Sequence, residues 1–226
     1  MGNFVRYGVY HLPPEGADWA VWATRWLGWD ALAGREAEPL GVPPEDAVTA
    51  TPRRYGLHAT LKPPFRLAEG ASAGALAEAV AGMAEGLAPV RLDGLALARI
   101  GGFLALRPMG DEGKLNALAA ACVEGPDGFR APPGVEELAR RRARPLSERQ
   151  EANLVRWGYP HVMQEFRFHI TLSGRLDEAT MAATRARLEA ELQPMLPVPY
   201  LVEDIALVGE GPDKRFRLIS RHRLGG

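Results

Sequence analysis

Tyr55-Gly56-Leu57-His58-Ala59-Thr60-Leu61-Lys62 and Phe166-Arg167-Phe168-His169-Ile170-Thr171-Leu172-Ser173 contain the same four-residue pattern, His-x-Thr-Leu. Five histidines and seven threonines in 226 positions give about 0.15 His-x-Thr matches by chance, so two that also share the next Leu form a repeat. Alternate residues of a strand point to one face. Read as strands, the first copy projects His58, Thr60 and Lys62 together, with Leu57 and Leu61 on the opposite, apolar face. The second projects Arg167, His169, Thr171 and Ser173, with Phe166, Phe168, Ile170 and Leu172 behind them.

Each copy thus offers an imidazole, a hydroxyl and a cation on one wall. If the two halves are pseudo-symmetric, the walls face each other across a cleft. Such a set suits a phosphate diester in reaction. One neutral imidazole takes a proton from water while a second, protonated, gives one to the leaving oxygen, because histidine titrates near neutral pH. Hydroxyls and cations hold the non-bridging oxygens.

Outward from these motifs, strands and helices alternate. Phe4 to Tyr10 is rich in β-branched and aromatic residues and stops at Pro13-Pro14, as a strand should. Asp18 then caps a helix whose Trp19, Trp22, Trp26 and Leu27 recur at helical spacing and read as core. Tyr55 to Lys62 is extended, Ala75 to Leu87 helical, and Val90 to Arg107 gives two strands around Gly101-Gly102. Lys114 to Gly158 predicts two or three short helices. The last third predicts an extended Glu165 to Leu172, a helix from about Asp177 to Leu196, and a hairpin from Tyr200 to Leu224 turning at Gly209 to Asp213. Interleaved strands and helices with a terminal hairpin predict an α+β fold, helices outside.

Composition narrows the function classes. At about 150 residues per domain, 226 residues suggest one large domain or two small lobes with a real core. The single Cys122 forms no internal disulfide. No apolar run approaches the roughly 20 residues that span a bilayer, and Met1-Gly2-Asn3-Phe4-Val5-Arg6-Tyr7 lacks a signal peptide's apolar stretch. A cytoplasmic protein with no membrane partner is expected. A net charge of −1 argues against tight, sequence-independent binding to long nucleic acid.

The sequence resembles a known family. Paired His-x-Thr motifs are the signature of the 2H phosphoesterase superfamily, and the surrounding words are similar to its phosphonate-metabolism-associated branch of unknown function. The matching stretches are Arg6-Tyr7, Trp26-Leu27-Gly28 with Asp30, Tyr55 to Phe65, Gly102 to Leu106, Phe129 to Pro132, Trp157 to Pro160 and Phe166 to Gly174. The resemblance implies a bilobal, pseudo-symmetric α+β fold, two mainly antiparallel sheets facing a central cleft. It implies one such domain over 1–226, with motifs at 58–61 and 169–172 and a helical insertion at about 112–158. It also implies hydrolysis or transfer at cyclic or small phosphodiesters, no metal or other cofactor, and genes for carbon–phosphorus bond breakdown nearby. Ser173 stands where the pattern leads one to expect Thr.

The expected catalytic residues are His58, His169, Thr60 and Thr171, with Lys62, Arg167, Tyr7 and Ser173 binding substrate. Which histidine is acid and which base stays open. Tyr55 and Tyr159 line the cleft or pack in the core; His11, His161 and His222 have no repeated context and no expected role. The run Arg140 to Arg144 reads as a solvated helix face or a cationic lip over the substrate. Gly70-Ala71-Ser72-Ala73-Gly74 fits a nucleophile elbow, yet Ser72 serves as a helix N-cap and a parallel hydrolase sheet does not fit the chain. A zinc site from His58, His161 and His169 lacks the paired i, i+4 histidines or Cys pairs that would organise it. Gly209-Glu210-Gly211 lacks the later glycine of a dinucleotide fingerprint, and there is no Walker-type loop. The expected activity is therefore a metal-independent phosphodiesterase on a small phosphorylated substrate. Two alternatives stay open, RNA end processing at 2′,3′-cyclic phosphates, with short RNA as a partner, and a non-enzymatic protein that binds a phosphorylated ligand.

Overall fold

A computed structural model describes residues 4–226; Met1, Gly2 and Asn3, part of the opening stretch read for a signal peptide, lie outside the described residues. The chain begins with β1 (Arg6–His11) and α1 (Asp18–Leu27), followed by a ribbon of β2 (Trp29–Asp30) and β3 (Arg35–Glu36), then α2 (Asp46–Thr49) and β4 (Ala59–Phe65). Next come α3 (Ala73–Glu85), β5 (Val90–Leu92), β6 (Gly94–Ile100) and β7 (Phe103–Met109). Three helices, α4 (Gly113–Glu124), α5 (Val135–Arg141) and α6 (Glu148–Trp157), precede β8 (Ile170–Thr171). The chain closes with α7 (Glu178–Glu191), β9 (Tyr200–Val202), β10 (Asp204–Glu210) and β11 (Phe216–Arg223).

Two antiparallel sheets carry the motifs, a four-stranded one in the order β11-β10-β1-β4 and a three-stranded one in the order β6-β7-β8. The architecture is α+β, as expected. Both motifs lie on sheet edges, β4 and β8, with one strand neighbour each. An edge position explains how β4 tolerates Pro63 and Pro64, which cannot donate to a ladder. The C-terminal hairpin returns to the first sheet, and β9 pairs with β5. One large core of Trp19, Trp26, Leu61, Leu104, Phe168 and Leu188, among others, joins both sheets and their helices.

Local chemistry explains several helix ends. Gly28 closes α1 in the left-handed conformation, its N–H bonded to the Thr24 carbonyl. Ser72 caps α3 by accepting from the Ala75 N–H, the role read for it from sequence. Asp177 caps α7 in the same way, and Ser147 with Gln150 forms a capping box on α6. α4 is amphipathic and buries Leu115, Leu118, Cys122 and Val123 beside β4.

Several segments differ from their reading: Ala17, not Asp18, is the N-cap of α1, Val90 to Arg107 holds three strands, and Tyr200 to Val202 pairs with β5 outside the hairpin. The first motif's strand begins at Ala59 and continues through Pro63 and Pro64 to Phe65. The second motif is paired only at Ile170 and Thr171. Before it three carbonyls accept from side chains: Arg167 Nη1 donates to those of Gln164 and Phe166, and His169 Nδ1 donates to that of Arg167.

Candidate active site

His58 stands just before β4. Its Nδ1–H donates to the Gly56 carbonyl at 3.0 Å, so the neutral ring turns Nε2 outward, where it accepts from the Thr60 hydroxyl at 3.1 Å. Gly56 adopts φ +72°, and a Cβ there would lie 3.0 Å from the Ala31 methyl and 3.2 Å from the Trp29 carbonyl. Glycine is therefore required where the carbonyl that orients His58 is placed. The imidazole stacks on Tyr10, ring centroids 4.2 Å apart, and on Tyr55 at 5.6 Å. It is 8% exposed, and this burial, with the positive form of His169 opposing it, pushes its pKa down to about 4.

His169 is built in the same way from the other sheet. Its Nδ1–H donates to the carbonyl two residues earlier, that of Arg167, at 2.7 Å. Nε2 is again the nitrogen that the backbone leaves open. Phe103 leans against the ring at 5.9 Å. Burial lowers its pKa from 6.5, and Arg107 adds to the effect. Arg107 lies one step past the Leu106–Ile170 pair on β7, which sets it across from His169.

A cavity of about 650 Å³ is lined by His58, Thr60, His169 and Thr171 together. The repeat thus converges on one space, from two edges. Arg167 reaches the same cavity, exposed, with its guanidinium on backbone carbonyls.

Three expected substrate contacts are corrected. Lys62 leaves the His58–Thr60 face: Val9 pairs with Lys62 and Tyr10 with Thr60, so Leu61 is an extra residue and a β-bulge reverses the alternation. Lys62 is 2% exposed, and its Nζ donates to the Val123 carbonyl at 2.5 Å and to Asp127 at 3.1 Å. It ties β4 to the end of α4. Burial lowers its pKa, which Asp127 opposes. Tyr7 is buried in the core, edge-on to Phe4 at 6.2 Å, because Arg6 and Tyr10 take the cleft side of β1. Ser173 borders the cavity, but its hydroxyl accepts from the Leu104 N–H and donates to the Gly174 carbonyl, both at 2.9 Å, which leaves it no free proton for a ligand.

Sequence reasoning missed other lining residues, among them Arg6, Arg107, Arg175 and His161; Tyr55 and Tyr159 also line the cleft. Arg6 was recoverable from alternation with Tyr10, whereas Arg107 and His161 had no local signal. Arg6 is held by buried Glu210 through bonds of 2.5 and 2.9 Å. From the arginine run only Arg141 lines the cavity. Arg142 turns away onto Glu151. Ser72 serves the cap and lies outside the cavity. Among the described residues, no three His, Cys, Asp or Glu side chains converge into a metal-ligand set. No helix among them is long and apolar enough to cross a membrane.

Two sheet edges, each carrying His-x-Thr, thus line one cavity. The chain belongs to the family described as Protein of unknown function (DUF1045), whose model matches residues 60–217. It is 36% identical over 182 residues to a protein of Janthinobacterium sp. (strain Marseille) named ribose 1,5-bisphosphate phosphokinase PhnN, covering 78% of this chain and 40% of that one. A protein of the same name from Laribacter hongkongensis (strain HLHK9) is 38% identical over 208 residues, covering 91% and 48%. The chain thus spans less than half the length of either relative. Among solved structures it is similar to TT0787 of Thermus thermophilus, at 21% identity, coverage of 98% of both chains and a TM-score of 0.47. It is also similar to E. coli LigT complexed with 3′-AMP, at 18% identity, coverage of 99% and 100%, and a TM-score of 0.45.

Proposed function

We propose that this chain is a metal-independent phosphodiesterase that hydrolyses a small cyclic or open phosphodiester by two-histidine acid–base catalysis. The supporting observation is that His58 and His169 each fix Nδ1 on the carbonyl two residues earlier and share one cavity. That leaves two Nε2 atoms for proton transfer. His58, the more buried, is the base: its Nε2 takes a proton from water as the water oxygen bonds to phosphorus. His169, protonated, gives its Nε2 proton to the departing ester oxygen as the P–O bond breaks. The products are a phosphomonoester and an alcohol. Thr171 and Arg107 hold the non-bridging oxygens, joined by Thr60 once substrate turns its hydroxyl from His58 Nε2 to the phosphate.

Phosphorylated ribose is the substrate class we favour. The two relatives are named for a kinase of ribose 1,5-bisphosphate. Opening a cyclic diester on phosphorylated ribose yields a ribose phosphate of the kind such a kinase consumes. The link to phosphonate breakdown rests on the family resemblance.

The test is a screen in excess chelator of 2′,3′-cyclic nucleotides, ribose cyclic phosphates and aryl phosphodiesters, with wild type beside His58→Ala and His169→Ala. Turnover by wild type and a loss of roughly 100-fold or more in each variant is expected, the usual scale of acid–base catalysis. Activity that vanishes with chelator and returns with zinc sinks the metal-free reading. Turnover that survives both substitutions sinks the two-histidine mechanism.

A further inference from the structure

The cleft carries more positive charge than one diester requires. Its walls hold Arg6, Arg107, Arg141, Arg167 and Arg175; Glu210 pairs with Arg6 and Glu112 with Arg107, which among the described residues leaves Arg167 and Arg175 without an ion pair and Arg141 with a long one. Arg107, across from His169, is the cation proposed above for the reacting phosphate. Arg141 comes from elsewhere, at the end of α5. Its guanidinium lies over the Tyr159 ring, 4.4 Å from the centroid. Tyr159 in turn meets the His161 ring edge-on at 5.9 Å, and all three residues line the cavity.

Arg141 is placed but incompletely satisfied. Its only acidic neighbour among the described residues is Glu137, at 3.5 Å, the outer limit of a hydrogen bond. Its Nε is buried and has no acceptor. A buried donor of this kind is normally paired, so an unpaired one beside a cavity calls for a partner. A guanidinium held flat by an aromatic ring presents its remaining donors as a fork, the geometry that suits a phosphate. His161, exposed beside it, supplies a further ring nitrogen.

From this we infer that Arg141, Tyr159 and His161 form a second anion subsite, and that the substrate carries a phosphate monoester in addition to the scissile diester. The inference rests on the phosphodiester reading for the identity of the first phosphate, but not for the existence of the second subsite. Arg141 and Tyr159 are then specificity residues: they bind the part of the substrate that does not react, and the histidines act on the part that does.

The experiment is calorimetric binding of ribose 5-phosphate and ribose 1,5-bisphosphate to wild type, Arg141→Met, Tyr159→Leu and Arg185→Met. Arg185 lies on the outer helix α7, paired with Glu189, and controls for the loss of one positive charge. Wild type is expected to prefer the bisphosphate by at least tenfold. Arg141→Met should bring that ratio within about threefold of unity, Tyr159→Leu should reduce it, and Arg185→Met should leave it unchanged. Equal affinity for the two ligands in wild type, no binding of either, or an unchanged ratio in Arg141→Met overturns the subsite. A preserved preference in a protein that hydrolyses no diester leaves the subsite standing and removes only the catalytic reading.

Discussion

The depressed basicity of both histidines sets where the pH optimum must lie. Catalysis as proposed uses the form in which His58 is neutral and His169 protonated, and kcat/KM reports the titrations of the free protein. Burial has pushed His58 to about 4 and has lowered His169 from 6.5. The optimum of kcat/KM therefore falls between the two, on the acid side of pH 6.5, with an acid limb near pH 4. On the alkaline side the rate should drop about tenfold per pH unit as His169 loses its proton. A bound phosphate anion favours both imidazolium forms, so the optimum of kcat should be more alkaline than that of kcat/KM. Arg107→Met removes a charge that opposes protonation of His169, so its alkaline limb should move to higher pH while the acid limb stays in place. The assay is initial rate against pH from 3.5 to 9 at fixed ionic strength, with samples returned to pH 7 to separate titration from unfolding. A kcat/KM maximum at or above pH 7, or a flat profile from pH 5 to 9, refutes the reasoning.

Three further outcomes are expected. Lys62→Met should lower stability by about 1–3 kcal/mol, since it orphans the Val123 carbonyl and breaks the tie to Asp127; urea unfolding measures it, and unchanged stability with a 100-fold higher KM would restore Lys62 as a substrate contact. Gly56→Ala meets a positive φ and the Trp29–Ala31 backbone, so a loss of about 1–3 kcal/mol and a lower kcat are expected, and a variant with wild-type kcat and melting temperature contradicts the account of how His58 is oriented. His11 is buried, with Nε2 on the Tyr200 hydroxyl, and burial lowers its pKa to about 4. The unfolded chain therefore takes up this proton first, and stability present above pH 6.5 is lost as the pH falls toward 4, by up to about 3 kcal/mol. His11→Gln should flatten that slope in urea midpoints measured between pH 7 and 4.5; an identical slope in the variant removes His11 from the explanation.

The sequence by itself determined what depends on neighbours along the chain. Repetition of His-x-Thr-Leu identified His58, Thr60, His169 and Thr171, and period-2 alternation pointed them to one side. Caps at Ser72 and Asp177 and the left-handed end at Gly28 follow from chemistry within one helical turn. Tertiary structure decided what depends on pairing. The bulge at Leu61 exists only because β1 lays fewer residues against β4, and it turned Lys62 from the cleft into a buried tie. Which face of β1 meets the core chose Arg6 and Tyr10 over Tyr7 for the cleft. Arg107, Arg141, Tyr159 and His161 come from three separate segments and meet in space through β7 and the α5–α6 region. No local pattern records such a meeting, because the contacts that create it are long-range and the free energy that holds it comes from the shared core.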